Sequence, residues 1–336
     1  MEYETCVGFK FMTRPASTGP AARGERPMRT AHLVDEWKRL GSTQVAANGI
    51  ELRVVEHGTG TPVVFCHGFP ELGFSWRHQV FALAEAGFRT LTPDMRGYGG
   101  SSRPERIDEY DMLTVCADLA GLLDAYGLED AIFVGHDWGA SVVWHMAREY
   151  PERVRAVAGL SVPATPRSSG PPVSIMRARL GDDFYMVWFQ QPGVADAVLA
   201  ADPRRTLLQD EVLSAATFLD TSTPEPPLPE WLSEPEFDYY VDTFTATGFT
   251  GGLNYYRNLD RTWERTAHLE GVKIAQPSLF IAGSTDPVIR FTPMEKMSAL
   301  LSDLRGTVIL EGAGHWIQQE RPEEVNAALI EFVRGL

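Results

Sequence analysis

Hydrophobic positions along the chain change period several times. Short β-rich runs occur at Glu51 to Glu56, Val63 to Cys66, Thr90 to Thr92, Ala131 to Val134, Val154 to Leu160, Ser278 to Ala282 and Thr307 to Leu310. Between them lie stretches with helical spacing. In the last, Val325, Ala328, Leu329, Phe332 and Val333 repeat at i, i+3, i+4, i+7 and i+8, one apolar stripe suited to packing on a sheet. Leu113, Cys116, Leu119, Leu122 and Leu123 make a similar stripe within Asp111 to Tyr126. Strands alternating with helices predict a mostly parallel sheet covered on both faces.

The alternation stops over residues 164–266, where aromatic-rich stretches and the loop Thr223-Pro224-Glu225-Pro226-Pro227-Leu228-Pro229 replace it, and resumes at Pro277. This predicts a mainly helical cap (164–266) inserted into a discontinuous core (45–163 and 267–336). Residues 1–44 are expected to form a separate extension. Within it Thr13 to Thr30, rich in Pro, Gly, Ala and Arg, is expected to be mobile. Leu33, Trp37 and Leu40 fall at helical spacing and predict a short helix docked on the body. Met28 offers an alternative start.

Composition narrows the chemistry. With 45 acidic and 30 basic side chains among 336 residues the formal charge is -15, which argues against a nucleic-acid partner. No window approaches the roughly 18 apolar residues of a membrane span, and the start lacks the regions of a secretory signal. A cytoplasmic protein is expected, with no membrane partner; a homodimer is left open. The three cysteines, Cys6, Cys66 and Cys116, are scattered and suggest core packing. No HExxH pair, GxGxxG or phosphate loop is present, so neither metal nor cofactor is expected. Side chains must supply the chemistry.

The most specific signal is Ala131-Ile132-Phe133-Val134-Gly135-His136-Asp137-Trp138-Gly139-Ala140: a β-branched strand, a small-x-x-x-small turn, and a helix continuing to about Tyr150. This is the spacing of a nucleophile elbow, the strained turn that exposes its middle side chain above the sheet in the α/β-hydrolase fold. Here that residue is Asp137; the competing reading is a buried Asp that merely caps the next helix. A carboxylate in this place has chemical content. A serine attacking a saturated carbon would leave an ether, whereas Asp leaves an ester on its own side chain that activated water can cleave. Asp137 thus points to substrates attacked at sp3 carbon, chiefly epoxides and alkyl halides, and away from a serine esterase.

His67-Gly68-Phe69-Pro70 follows the strand ending at Cys66, where this fold places its second oxyanion donor, so the predicted hole is the backbone N–H of Phe69 with that of Trp138. A plain Gly-Pro turn is the alternative. His67 is read as a supporting hydrogen-bonder. Gly312-Ala313-Gly314-His315-Trp316 follows the last strand and makes His315 the base, since the order nucleophile, acid, histidine is that of the fold. Asp286, in Ser284-Thr285-Asp286-Pro287, is the acid that orients it, or else a turn cap before proline.

From about Ala47 to Leu336 the chain resembles the soluble type of epoxide hydrolase, cap included. Phe184-Tyr185-Met186-Val187-Trp188-Phe189-Gln190-Gln191-Pro192-Gly193 looks like the segment holding that family's first acid tyrosine, and Leu253-Asn254-Tyr255-Tyr256-Arg257-Asn258 like that of the second. The resemblance therefore implies Tyr185 and Tyr256 as the ring-opening acids, with Tyr255 in the core, and gives Glu71 a part in holding the hydrolytic water. For Glu71 an exposed carboxylate at a helix start is the alternative. Gln191 departs from the family pattern, in which Glu often precedes the proline. A phenol suits the acid's role: with an ordinary pKa of about 10 it stays protonated at neutral pH, yet is more acidic than the alcohol formed.

The implied activity is conversion of apolar or aryl-bearing epoxides to vicinal diols, with epoxide and water as the partners. The nearest rival is a haloalkane or haloacid dehalogenase using the same nucleophile. A haloalkane-type site would be expected to carry Asn at Phe69 and a fluoroacetate-type site Arg at Trp138, and neither does. A non-catalytic small-molecule sensor on the same fold is the rival from another class; saturable binding without turnover would favour it.

Overall fold

The computed structural model describes residues 27–209, 214–220, 222–292 and 294–336. Eight strands form one sheet in the order β1-β2-β4-β3-β5-β6-β7-β8: β1 Thr43–Ala47, β2 Ile50–Gly58, β3 Thr61–Cys66, β4 Phe88–Pro93, β5 Ala131–His136, β6 Val154–Leu160, β7 Ile274–Gly283 and β8 Leu301–Leu310. β2 runs antiparallel to β1 and to β4, and every later pairing is parallel. Each expected strand is present.

The sequence reading missed β1. It pairs Thr43 with Val54 through Ala47 with Ile50 across an Asn48-Gly49 turn in which both residues take positive φ, 48° and 77°. That dipeptide is the hairpin signal, because a two-residue turn of this hand matches strand twist. β8 is also longer than its β-branched end, Thr307 to Leu310, suggested.

All six residues of β5 are buried, as a strand covered on both faces requires. Met112–Ala125 packs on Trp138–Glu149, and Arg77–Glu85 packs on Pro322–Arg334, the helix that buries Val325, Leu329, Phe332 and Val333. The helix Pro27–Leu40 docks through Trp37, only 1 % exposed and edge-on to Phe74. Most of the stretch from Thr13 to Thr30 that was expected to be mobile lies outside the described residues.

From the end of β6 to the start of β7 the described residues form helices and loops, with a single isolated bridge between Phe184 and Ser214. Buried polar contacts tie this helical layer to the sheet layer. Asp111, 0 % exposed, caps Met112–Ala125 and also receives Arg261 and Arg265 from the layer above. Arg77 and Glu236, both buried, pair at 2.6 Å. No helix among the described residues is long and apolar enough to cross a membrane.

Candidate active site

The chemistry-bearing residues follow the carboxyl ends of the parallel strands, where an open α/β sheet leaves a crevice. Asp137 comes after β5, the Phe69 loop after β3, Asp286 after β7 and His315 after β8. All four ends face the helical layer.

Asp137 has φ 52° and ψ -119°, a strained conformation for a residue with a side chain. The flanking glycines explain how the turn fits. A Cβ on Gly135 would lie 2.1 Å from the Gly139 carbonyl oxygen, and one on Gly139 would lie 2.0 Å from the Cys66 oxygen. Asp137 stands at the N-cap of Trp138–Glu149, but its side chain makes no cap bond, so the capping alternative fails. Oδ1 instead accepts the Phe69 N–H at 2.9 Å. Trp138 opens the helix, and its N–H belongs to the first turn, which lacks intrahelical acceptors.

His315 stands between two carboxylates. Its Nδ1 is 3.0 Å from Asp286 Oδ2, and its Nε2 is 3.7 Å from Asp137 Oδ2. Burial works against a charge on the imidazole, but the two carboxylates, Asp137 facing Nε2 and Asp286 hydrogen-bonded to Nδ1, outweigh burial and raise its pKa well above the ordinary histidine range. Asp286 is itself buried, which alone would raise its pKa; the His315 bond and the Val288 N–H hold it below the usual carboxylate value. Asp286 makes both contacts at once: Oδ1 caps the turn at Val288 (2.8 Å) while Oδ2 faces the histidine.

Tyr185 and Tyr256 close the opposite wall. With Asp137, His315, Phe69 and Trp316 they line one narrow cavity, their ring centroids 5.9 Å apart. Burial, reinforced by the charge of Asp137, pushes both phenols above their ordinary pKa. Tyr255 points elsewhere and donates to the Arg96 carbonyl at 2.9 Å, as a core residue would. A larger cavity of about 290 Å³, against about 90 Å³ at the nucleophile, adjoins it across Pro70, Gln209 and Trp316 and is walled mostly by apolar side chains such as Leu207, Trp231 and Phe237.

Glu71 is 1 % exposed, which overturns the exposed-carboxylate alternative. Its Oε2 accepts from Gly68 N–H at 2.8 Å and meets His136 Nδ1 at 2.7 Å, and its Oε1 accepts from Gln318 at 2.7 Å. His67 is buried, and Met95 N–H donates to its Nε2, which leaves Nδ1 to donate to the Gly68 carbonyl.

Two supports escaped the sequence reading. His136 Nε2 lies 2.8 Å from the His315 carbonyl oxygen, and the Glu320 carboxylate accepts the N–H groups of Gly314 (2.7 Å) and Trp316 (2.8 Å), bracketing the histidine. His136 could have been suspected from its place beside Asp137. Glu320 had no local signal.

Residues 61–322 match the alpha/beta hydrolase fold family model. Epoxide hydrolase A of Mycobacterium tuberculosis is 53 % identical over 87 % of this chain and 97 % of its own length. Epoxide hydrolase 1 of Siraitia grosvenorii is 38 % identical over 88 % and 99 %. Among solved structures, epoxide hydrolase A from Mycobacterium thermoresistibile superposes with a TM-score of 0.84 at 52 % identity, covering 88 % of this chain and 98 % of that one. With an aspartate at the tip of the elbow and relatives of this closeness along nearly their whole length, the chain belongs to the epoxide hydrolases of the α/β-hydrolase fold.

Proposed function

We propose that this enzyme opens apolar or aryl-bearing epoxides to vicinal diols through an ester on Asp137. The observation that carries the reading is the tip of a strained elbow bearing Asp in place of Ser and facing two protonated phenols across a narrow cavity. One oxygen of Asp137 attacks a ring carbon; the C–O bond breaks, and Tyr185 and Tyr256 bind the departing oxygen, one of them giving it a proton. A hydroxyalkyl ester results.

In the second half His315, oriented by Asp286, takes a proton from water as the water oxygen attacks the ester carbonyl. The Phe69 and Trp138 N–H groups stabilise the tetrahedral oxyanion, and collapse expels the alkoxide, which takes the second proton of the attacking water to leave as the diol while Asp137 returns to a carboxylate. The proton held by His315 replaces the one lost by the phenol, so epoxide and water balance the diol. Glu71 is assigned to holding the hydrolytic water, with His67 as support for the loop. Residues 164–266 serve as the cap, and the apolar cavity beside the nucleophile supports a substrate with a bulky nonpolar arm.

Dehalogenation is not favoured: the similar proteins are epoxide hydrolases, and Phe69 and Trp138 stand where halide- or carboxylate-binding residues would be expected. A sensor reading would need binding without turnover. The cytoplasm is the proposed setting, supported by the acidic composition and by free thiols at Cys66 and Cys116. A homodimer stays a proposal from sequence.

The experiment is diol formation from styrene oxide and a trans-disubstituted aryl epoxide by the wild type, Asp137→Ala and Tyr185→Phe/Tyr256→Phe. Turnover by the wild type and its loss in both variants is the expected result. No diol from a folded wild type, with halide released from haloalkanes or chloroacetate, would overturn it.

A further inference from the structure

The two tyrosines sit on separate pieces of the helical layer, Tyr185 on Tyr185–Trp188 and Tyr256 near the end of Thr250–Arg257. Neither short helix would hold a phenol in place unaided. Each segment, however, sends one side chain to the backbone of the other. The Gln190 carboxamide nitrogen donates to the Met186 carbonyl at 2.7 Å and to the Tyr256 carbonyl at 2.9 Å. In return Arg257, adjacent to Tyr256, donates through Nε to the Phe189 carbonyl at 3.0 Å.

Arg257 is itself fixed. Its guanidinium pairs with both oxygens of Asp196 and reaches Asn254 Oδ1 at 3.0 Å, and its side chain is 3 % exposed. The Phe189 ring packs edge-on against both phenols, 5.5 Å from Tyr185 and 5.1 Å from Tyr256, centroid to centroid. Two carbonyl acceptors on one amide nitrogen also fix which way the Gln190 side chain faces.

We propose that Gln190 and the Arg257–Asp196 pair are positioning residues for epoxide opening: a reciprocal brace that sets where Tyr256 stands relative to Tyr185. The proposal rests on the reading of these tyrosines as the acids. Two phenols can grip one oxygen only if their separation is held to a fraction of an ångström, because hydrogen bonds weaken steeply with distance and angle. Ester hydrolysis needs no such grip and uses groups on the opposite wall. The brace therefore acts on the first chemical step alone.

The test is single-turnover kinetics with styrene oxide on the full chain, following ester formation and ester loss by quenched-flow mass measurement of the intact protein. Gln190→Met keeps the side-chain length and removes the donor. Ester formation is expected to slow at least about tenfold while ester hydrolysis stays within about twofold of wild type. In a Tyr256→Phe background the same substitution is expected to slow ester formation by less than about threefold, since the phenol being placed is gone.

Wild-type ester formation by Gln190→Met, equal slowing of both steps, or an undiminished effect in the Tyr256→Phe background would overturn the brace. Should Gln190→Met fold poorly, Asp196→Asn gives the second reading: selective slowing of ester formation, with recovery in Asp196→Glu, is expected, and wild-type rates for Asp196→Asn would count against the proposal. If the wild type itself forms neither ester nor diol, the underlying reading fails rather than the brace alone.

Discussion

Oδ1 of Asp137 accepts the backbone N–H of Phe69 at 2.9 Å. The donor assigned to the oxyanion thus already holds one oxygen of the nucleophile in the resting protein, and the other oxygen, Oδ2, is the one 3.7 Å from His315. The two oxygens have different parts. On the proposed route Oδ2 is left to attack the epoxide, and Oδ1 would become the ester carbonyl oxygen, seated where the tetrahedral intermediate needs a donor.

His315→Gln should divide them. Ester formation does not require the base, so the variant is expected to form about one equivalent of ester and then stall, with steady-state turnover down by roughly 10²–10⁴-fold. Intact-protein mass after mixing with styrene oxide reads this directly. Loss of activity without ester accumulation would mean that His315 is needed before hydrolysis.

The phenols predict a different failure. Tyr185→Phe or Tyr256→Phe alone leaves one donor on the epoxide oxygen and is expected to slow ester formation by about 10–100-fold, while the double variant loses far more. Hydrolysis of any ester that does form should be unchanged. Slowed hydrolysis in the single variants would place the tyrosines in the wrong step.

The pH dependence follows from the charges around His315. In the resting protein two carboxylates face it and raise its pKa. On the proposed route alkylation would convert Asp137 to a neutral ester and leave only Asp286 facing the imidazole, so its pKa is expected to fall and free the base for hydrolysis. Hydrolysis requires the neutral form, so its rate should rise with pH, through a midpoint lower than that of His315 in the resting protein. Imidazole NMR titration of the resting protein, set against the pH profile of single-turnover hydrolysis, checks the order; an equal or higher kinetic midpoint contradicts it. Because both phenols titrate above their usual value, ester formation should not fall from phenol ionisation below about pH 10.

Arg77 and Glu236 carry a stability prediction. They join the two layers at 2.6 Å with both side chains buried, and Arg77 also donates to Gln319 Oε1 at 2.7 Å. Arg77→Met strands a carboxylate and should destabilise the protein by about 3–5 kcal/mol. Adding Glu236→Gln, which can still serve the Ser233 cap, should recover part of that loss. Denaturant unfolding of both variants measures it, and a double variant less stable than Arg77→Met would contradict the account.

How far the sequence reading reached depended on whether a residue's role was local. Gly135, Asp137 and Gly139 are legible because an elbow is one continuous turn whose steric demands fall at fixed spacing. Asp286 and His315 are legible because strand order fixes the loops that carry them. Tyr185 and Tyr256 were named through family resemblance; nothing in their own segments distinguishes them from Tyr255, which lies one position away and faces Arg96. Gln190 reaches Tyr256 and Gln318 reaches Glu71 only once the chain folds, so no local pattern announces them, and Glu320, though its partners Gly314 and Trp316 lie within six residues, sits in no recognisable motif. β1 escaped for a different reason: Thr43 to Ala47 is only five residues long and ends in two alanines, and its clearest signal lay in the Asn48-Gly49 turn.

The most direct test of the ester route is a single turnover in heavy-oxygen water with enzyme in excess over epoxide, followed by mass analysis of the peptide containing Asp137 and of the diol. The account predicts label in the Asp137 carboxylate and an unlabelled diol, because the diol's new oxygen comes from Asp137 and the water oxygen stays behind on the enzyme. Label in the diol with none in Asp137 would show water attacking the epoxide directly and would contradict the account.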